Sequence, residues 1–240
     1  MATGVQLVNE ELDLFNPDPA QTQMRDRTTE KIPPLSSDFN SSTKITFDIL
    51  NEKQQQYLDP SSVRLFVELG VQKWDATNSK WIPIAKDDKI FPINNCLHSL
   101  FRDFEVELKG TIINENNGTY PYLAYLNSLL TYGPTVLETQ GMSFGWELDN
   151  AGAMDTVDVA ADSSRLTRHS WFFDDSDNYH DVCFCATPKG ELFQQERHLP
   201  YGVGLRLKLS PASQDFILTG ENADKHVWCS RKSTCSRTMC

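Results

Sequence analysis

The sequence predicts an all-β fold, an antiparallel sandwich, on three observations. Four segments alternate apolar and polar residues with a period of two, the signature of strands with one buried and one wetter face. Clusters of Asn, Asp, Gly and Pro separate them, which favours antiparallel pairing. No repeated βαβ pattern appears, which counts against a doubly wound enzyme fold.

The elements follow in chain order. Residues 1–43 read as an extended arm, because Pro17, Pro19, Pro33 and Pro34 break any helix. A sandwich domain spans 44–220. In KITFDIL, Ile45, Phe47 and Ile49 alternate with Thr46 and Asp48. In SVRLFVELGV, Val63, Leu65, Val67 and Leu69 share a face. In FEVELKG, Phe104, Val106 and Leu108 oppose Glu105, Glu107 and Lys109. In VGLRLKLS, Val203, Leu205, Leu207 and Leu209 oppose Arg206 and Lys208. Long insertions occupy 110–190 and include a helix over 120–132, with Thr119 to cap it, Pro121 in its first turn and Gly133-Pro134 to stop it. Tyr122, Leu123, Leu126, Leu129 and Leu130 form its apolar stripe, expected to lie against the sandwich. Residues 140–188 read as a long loop with one or two short strands. Residues 221–240 read as an irregular tail: from Trp228 it has three cysteines, three basic residues, no acid and no apolar period. A shifted reading frame would produce such a composition.

Composition bounds the function. The 240 residues, 39% apolar and 10% aromatic, suffice for a buried core. A net charge of -11 argues against a nucleic-acid site and against an anionic membrane surface, since both need clustered Lys and Arg. No apolar run approaches the roughly 18–20 residues of a membrane span. The opening MATGVQLVNEELDLF lacks a basic stretch followed by an apolar one, so it is not read as a secretory signal. The six cysteines are then expected as thiols, and the sequons at Asn40 and Asn117 carry no weight.

Each candidate for chemistry has a blander counterpart. Gly141-Met-Ser143-Phe-Gly145 matches G-x-S-x-G, and Asp155 or Asp162 with His169 or His180 would follow in hydrolase order. The parallel sheet that motif requires is missing, so a loop serine is expected. His180, Cys183 and Cys185 form H-x2-C-x-C without a second ligand pair, so buried strand thiols are expected rather than a metal. Asp174, Asp175 and Asp177 lack the glycine and distal Glu of a calcium loop. Cys96 and His98 stand two residues apart with no third partner nearby, and packing is expected there. Catalytic, cofactor-binding and metal residues are therefore each read as none, and the protein as no enzyme.

Taken together, PINNCLHSLFRDFEVELKGTIINENNGTYPYLAYLNSLLTYG resembles a segment of the major capsid proteins of Polinton (Maverick) elements and the related adintoviruses. Pro92 to Phe101 and Thr119 to Gly133 carry the resemblance, supported by ELDLFNPDPAQTQM and GELFQQERHLPYGVGLRLKLSPASQDFIL. It implies a jelly-roll sandwich of the double jelly-roll capsid lineage, whose members carry two jelly rolls per chain and form trimers that tile an icosahedral shell. Here the strands suffice for about one jelly roll, which implies a truncated or domesticated remnant. The implied partners are further copies of itself, as a homotrimer and between capsomers, and a minor capsid protein. The implied location is the virion, after synthesis in the host cytoplasm and assembly in the nucleus. Cys96 and His98 then lead into a strand, with Leu97, Leu100 and Phe101 packing inward. The alternative is a sandwich that binds carbohydrate or protein, with Trp74, Trp81, Trp146 and Trp171 as stacking platforms.

Overall fold

The computed structural model describes residues 27–35, 44–51, 56–114, 117–149, 151–152, 163–195, 197–220 and 226–239, with backbone alone for 163 and 229–239. One sheet runs in the order β1 (Thr28–Ile32), β11 (His226–Met239), β3 (Leu58–Asp75), β4 (Lys80–Pro83). β11 pairs along nearly the whole of β3, so β8 (Val182–Ala186) and β4 share β3's other edge. The second sheet runs β2 (Ile45–Ile49), β9 (Leu205–Pro211), β6 (Phe101–Leu108), β7 (Thr111–Asn114). A two-stranded piece joins β5 (Ile90–Pro92) to β10 (Leu218–Gly220). Every pairing is antiparallel. Among the described residues five α-helices decorate the strands: α1 (Cys96–Ser99), α2 (Tyr120–Thr131), α3 (Pro134–Thr139), α4 (Ser163–Ser170) and α5 (Gln214–Ile217).

The period-two pattern fixes the second sheet. Phe47 is opposite Leu207, which is opposite Val106; Ile45, Leu209 and Phe104 form the next row. These six side chains are at most 2% exposed and share one core with Val63, Leu65, Val67 and Leu69 of β3. Each such burial contributes roughly 1.5–3 kcal/mol. The intervening residues face out and pair by charge across the same strands. Arg206 grips Asp48 with two hydrogen bonds, at 2.5 and 3.1 Å. Lys208 lies 2.6 Å from Glu105 and 3.0 Å from Glu107. Those carboxylates, Glu105 foremost, raise the affinity of Lys208 for its proton. The ladder favours the register that buries the apolar rows, because a one-residue slip would reverse both faces at once.

The four alternating segments fall on β2, β3, β6 and β9, as their periodicity predicts. Two expectations need correction. Residues 28–32 of the presumed arm form edge strand β1, paired with β11; residues 1–26 and 36–43 lie outside the described residues. The tail read as irregular contains β11, a 14-residue strand on the longest strand of the fold. Ladder hydrogen bonds come from the backbone and need no apolar alternation, and β11 pairs with β3 through them along most of its length. The stretch 140–188 also holds a helix, α4. The half-buried carboxylate of Asp149 anchors it, accepting hydrogen bonds from Arg168 at 2.5 Å, Ser164 at 3.0 Å and Asn94 at 2.8 Å.

The inner and outer faces should respond differently to truncation. Phe47→Ala is expected to lower the unfolding free energy by about 3–5 kcal/mol, and Lys208→Ala by less than about 1 kcal/mol. Urea titrations giving comparable losses at both positions would contradict the assignment of faces.

Candidate assembly interface

The segment around Cys96 and His98 is closed to solvent. Asn95 adopts a left-handed conformation at φ 55°, and Cys96–Ser99 then make one helical turn rather than extended chain. All four residues of that turn are buried, as are Leu97's neighbours Leu100 and Phe101. Because the turn is helical, Cys96 and His98 do not share a face. Burial pushes the Cys96 thiol up to about 12 and, together with the Lys189 charge, the His98 imidazole down to about 3. Tyr120 completes the cluster. Its hydroxyl oxygen accepts the Lys189 backbone N–H at 3.2 Å and stands 3.0 Å from His98 Nδ1. With the imidazole neutral, the phenol proton goes to Nδ1 and the ring proton to Nε2. Burial raises the phenol's affinity for its proton. The group holds α1, α2 and the chain at Lys189 together; a thiol so strongly protonated and enclosed is no nucleophile.

The other motifs are equally structural. Ser143 is exposed in a 3-10 turn, Gly141–Phe144, and its hydroxyl donates to the Gln140 carbonyl at 2.7 Å. The glycines of G-x-S-x-G serve packing: a Cβ on Gly145, at φ +75°, would sit 2.6 Å from the Cys96 Cβ, and one on Gly141 would sit 2.9 Å from that of Trp146. His169 is buried elsewhere, with its ring nitrogens 2.9 Å from the Ile90 carbonyl and 3.1 Å from that of Lys86. Asp155 and Asp162 lie outside the described residues. Cys183 and Cys185 share a face of β8, as their spacing predicts, but it is the outer face; Phe184 and Ala186 are the buried pair. Among the described residues no three His, Cys, Asp or Glu side chains cluster to hold a metal. Asp174 closes a turn by accepting the backbone N–H groups of Ser176 and Asn178, and Asp177 pairs with Lys86. Of the four indoles considered as stacking platforms, Trp146 is buried, Trp171 packs on Phe184, and Trp74 and Trp81 stay at the surface, edge to face at 5.3 Å.

The largest departure from expectation is the orientation of α2. The helix forms where predicted, with Thr119 at its N-cap position, but Tyr120, Pro121, Ala124 and Ser128 face inward. The apolar stripe faces outward: Tyr122 is 61% exposed, Leu126 57% and Leu130 86%, with Leu123 and Leu129 also open. Small Ala124 and Ser128 permit close approach to the body, while Tyr125 stacks on Trp146 at 4.9 Å. Tyr122 meets Phe216 edge-on at 5.9 Å. Residues 117–137 contain no charged side chain. The stripe was visible in the sequence; its direction was not, because Leu in a helix is normally core and the inward packing depends on two small residues and one tyrosine. A coherent apolar helix face of this kind marks an interaction surface. No described helix is long and apolar enough to cross a membrane.

Comparison with known proteins bears on the fold. No protein-family profile matches the sequence. An uncharacterised Caenorhabditis elegans protein, F54H12.2, is 34% identical over 55 residues, which is 22% of this chain and 13% of that protein. In three dimensions 99% of the chain matches 52% of a chain in the cryo-EM structure of the Sputnik virophage, with TM-score 0.56 and 14% identity. The mavirus major capsid protein matches over the whole chain and 52% of its own length, with TM-score 0.45 and 13% identity. The virophage likeness shows the fold, an antiparallel jelly-roll sandwich, and the chain spans about half the length of the structures it matches.

Three measurements check this account. Tyr120→Phe leaves the Lys189 N–H and His98 Nδ1 without a partner and should cost about 1–3 kcal/mol of stability. In the unfolded chain His98 titrates near 6.5, in the fold near 3. Between these values the unfolded state holds the extra proton, so the contribution is complete above pH 6.5 and is lost as pH falls, by at most about 1.4 kcal/mol per unit. Urea unfolding at pH 7.5 and 5.5 should show this slope flattened in His98→Gln; an unchanged slope would assign it elsewhere. Mass-spectrometric thiol labelling at pH 8 should modify Cys183 rapidly and Cys96 only on unfolding, and early labelling of Cys96 would mean the turn is open.

Proposed function

We propose that the chain is a structural shell subunit, a single jelly roll of the capsid kind, that assembles with copies of itself and has no enzymatic role. The observation that carries this reading is the match of 99% of the chain to the virophage structure. Three features support it. Cys96, His98, Ser143 and His169 are engaged in packing or hydrogen bonding within the fold. The outer helix α2 offers an uncharged apolar surface where a subunit could meet a neighbour. The motifs of Pro92–Phe101 and Thr119–Gly133 resemble those of Polinton and adintovirus capsid proteins. We extend the reading to a remnant of such an element carried in a host genome, in line with the 55-residue stretch shared with a nematode protein. The partners are then other copies, in trimers and between capsomers, together with a minor capsid protein. The place of action is the virion, after synthesis in the cytoplasm and assembly in the nucleus.

A carbohydrate-binding sandwich has weaker support, because only Trp74 and Trp81 remain as surface indoles. Light scattering and negative-stain electron microscopy of the purified chain separate the two readings. Assembly into multimers or shell fragments is expected on the first. A strictly monomeric protein at about 100 μM, a concentration at which standard-sized interfaces are occupied, would overturn it.

A further inference from the structure

We propose that the outward face of α2 is a self-docking surface, on which two copies of this chain pack α2 against α2 about a two-fold axis. The proposal rests on the shell-subunit reading and adds to it a contact, its residues and its symmetry.

The size of the patch is the first argument. Tyr122, Leu123, Leu126, Leu129 and Leu130 are 43–86% exposed on one 12-residue helix. They present on the order of 600 Å² of apolar surface. A standard interface buries about 800 Å² per partner, so the patch with a modest rim suffices. The helix is about 18 Å long, enough for both copies to lay the stripe along one another.

Charge selects the occupant. The chain carries a net charge of -11, yet residues 117–137 hold no charge. A two-fold contact sets a patch against itself, so any net charge in the patch would repel its own copy. A neutral patch on an acidic protein is what such a contact requires. A foreign partner selected by electrostatic complementarity would leave acidic or basic residues within the stripe. The face is also held in place, by the Tyr125–Trp146 stack beneath it and the Tyr122–Phe216 contact at its end, so docking orders little that is not already ordered.

Sedimentation equilibrium of the full chain from about 1 to 100 μM tests the proposal. Wild type is expected to dimerise with a dissociation constant of roughly 10 μM or tighter. Leu126→Asp/Leu130→Asp is expected to weaken that step at least about 30-fold, with the melting temperature of the monomer unchanged because both positions are exposed. Should the double variant fail to fold, Leu130→Lys, at the most exposed position, reads the same face. Wild-type association that neither variant disturbs would overturn the α2 contact and leave the shell reading standing. A wild type that stays monomeric throughout would overturn both.

Discussion

The strand register β2–β9–β6 is the constraint on which the rest depends. Phe47, Leu207 and Val106 form one inward row while Asp48, Arg206 and Glu107 form one outward row. The inward rows supply the free energy and the outward rows favour one register. The pairs on the exposed face, such as Arg206 with Asp48, are individually worth little. Their effect is comparative, because a slip that exposed Phe47 would also bury Asp48 and strand Arg206. With this sheet fixed, the opposing face of β3 has a surface to cover, and β8, β4 and β11 take their places along β3's edges.

How far the fold could be read follows from this physics. Where the side chains themselves demand a conformation, the sequence speaks plainly: β2, β3, β6 and β9 alternate, and α2 lies between a capping position and a Gly-Pro stop. Where the backbone decides, it is mute. β11 has no alternation to announce it, and β1 is five residues lying on β11's edge. β11 exists because an 18-residue strand exposes a long row of backbone donors and acceptors, and β1 lies on the edge that β11 presents in turn. That row is a property of β3, not of the segments that satisfy it.

The candidate interface was half legible for a related reason. An apolar stripe specifies that a face will be covered, not by what. α2 could turn its leucines to the body or away from it, and the choice rests on Tyr120, whose hydroxyl finds both His98 and the Lys189 backbone only from the inward side. A buried phenol with two partners, flanked by Ala124 and Ser128, outweighs the leucine stripe. Leucine lost to solvent forgoes roughly 1.5–3 kcal/mol each, which is recoverable from a second surface. A buried phenol without partners has no such remedy.

The same accounting explains why motifs suggestive of catalysis are quiet here. Catalytic cysteines and histidines need titration near neutral pH and access to a substrate. Burial drives Cys96 and His98 in opposite directions, to about 12 and about 3, so neither changes charge at neutral pH. Gly141 and Gly145 are needed beside Trp146 and Cys96 whether or not a serine lies between them. The polar atoms that drew attention in the sequence thus hold α1, α2 and the 3-10 turn in one orientation. The consequence of that orientation lies outside the cluster: it is what leaves Tyr122, Leu126 and Leu130 facing out.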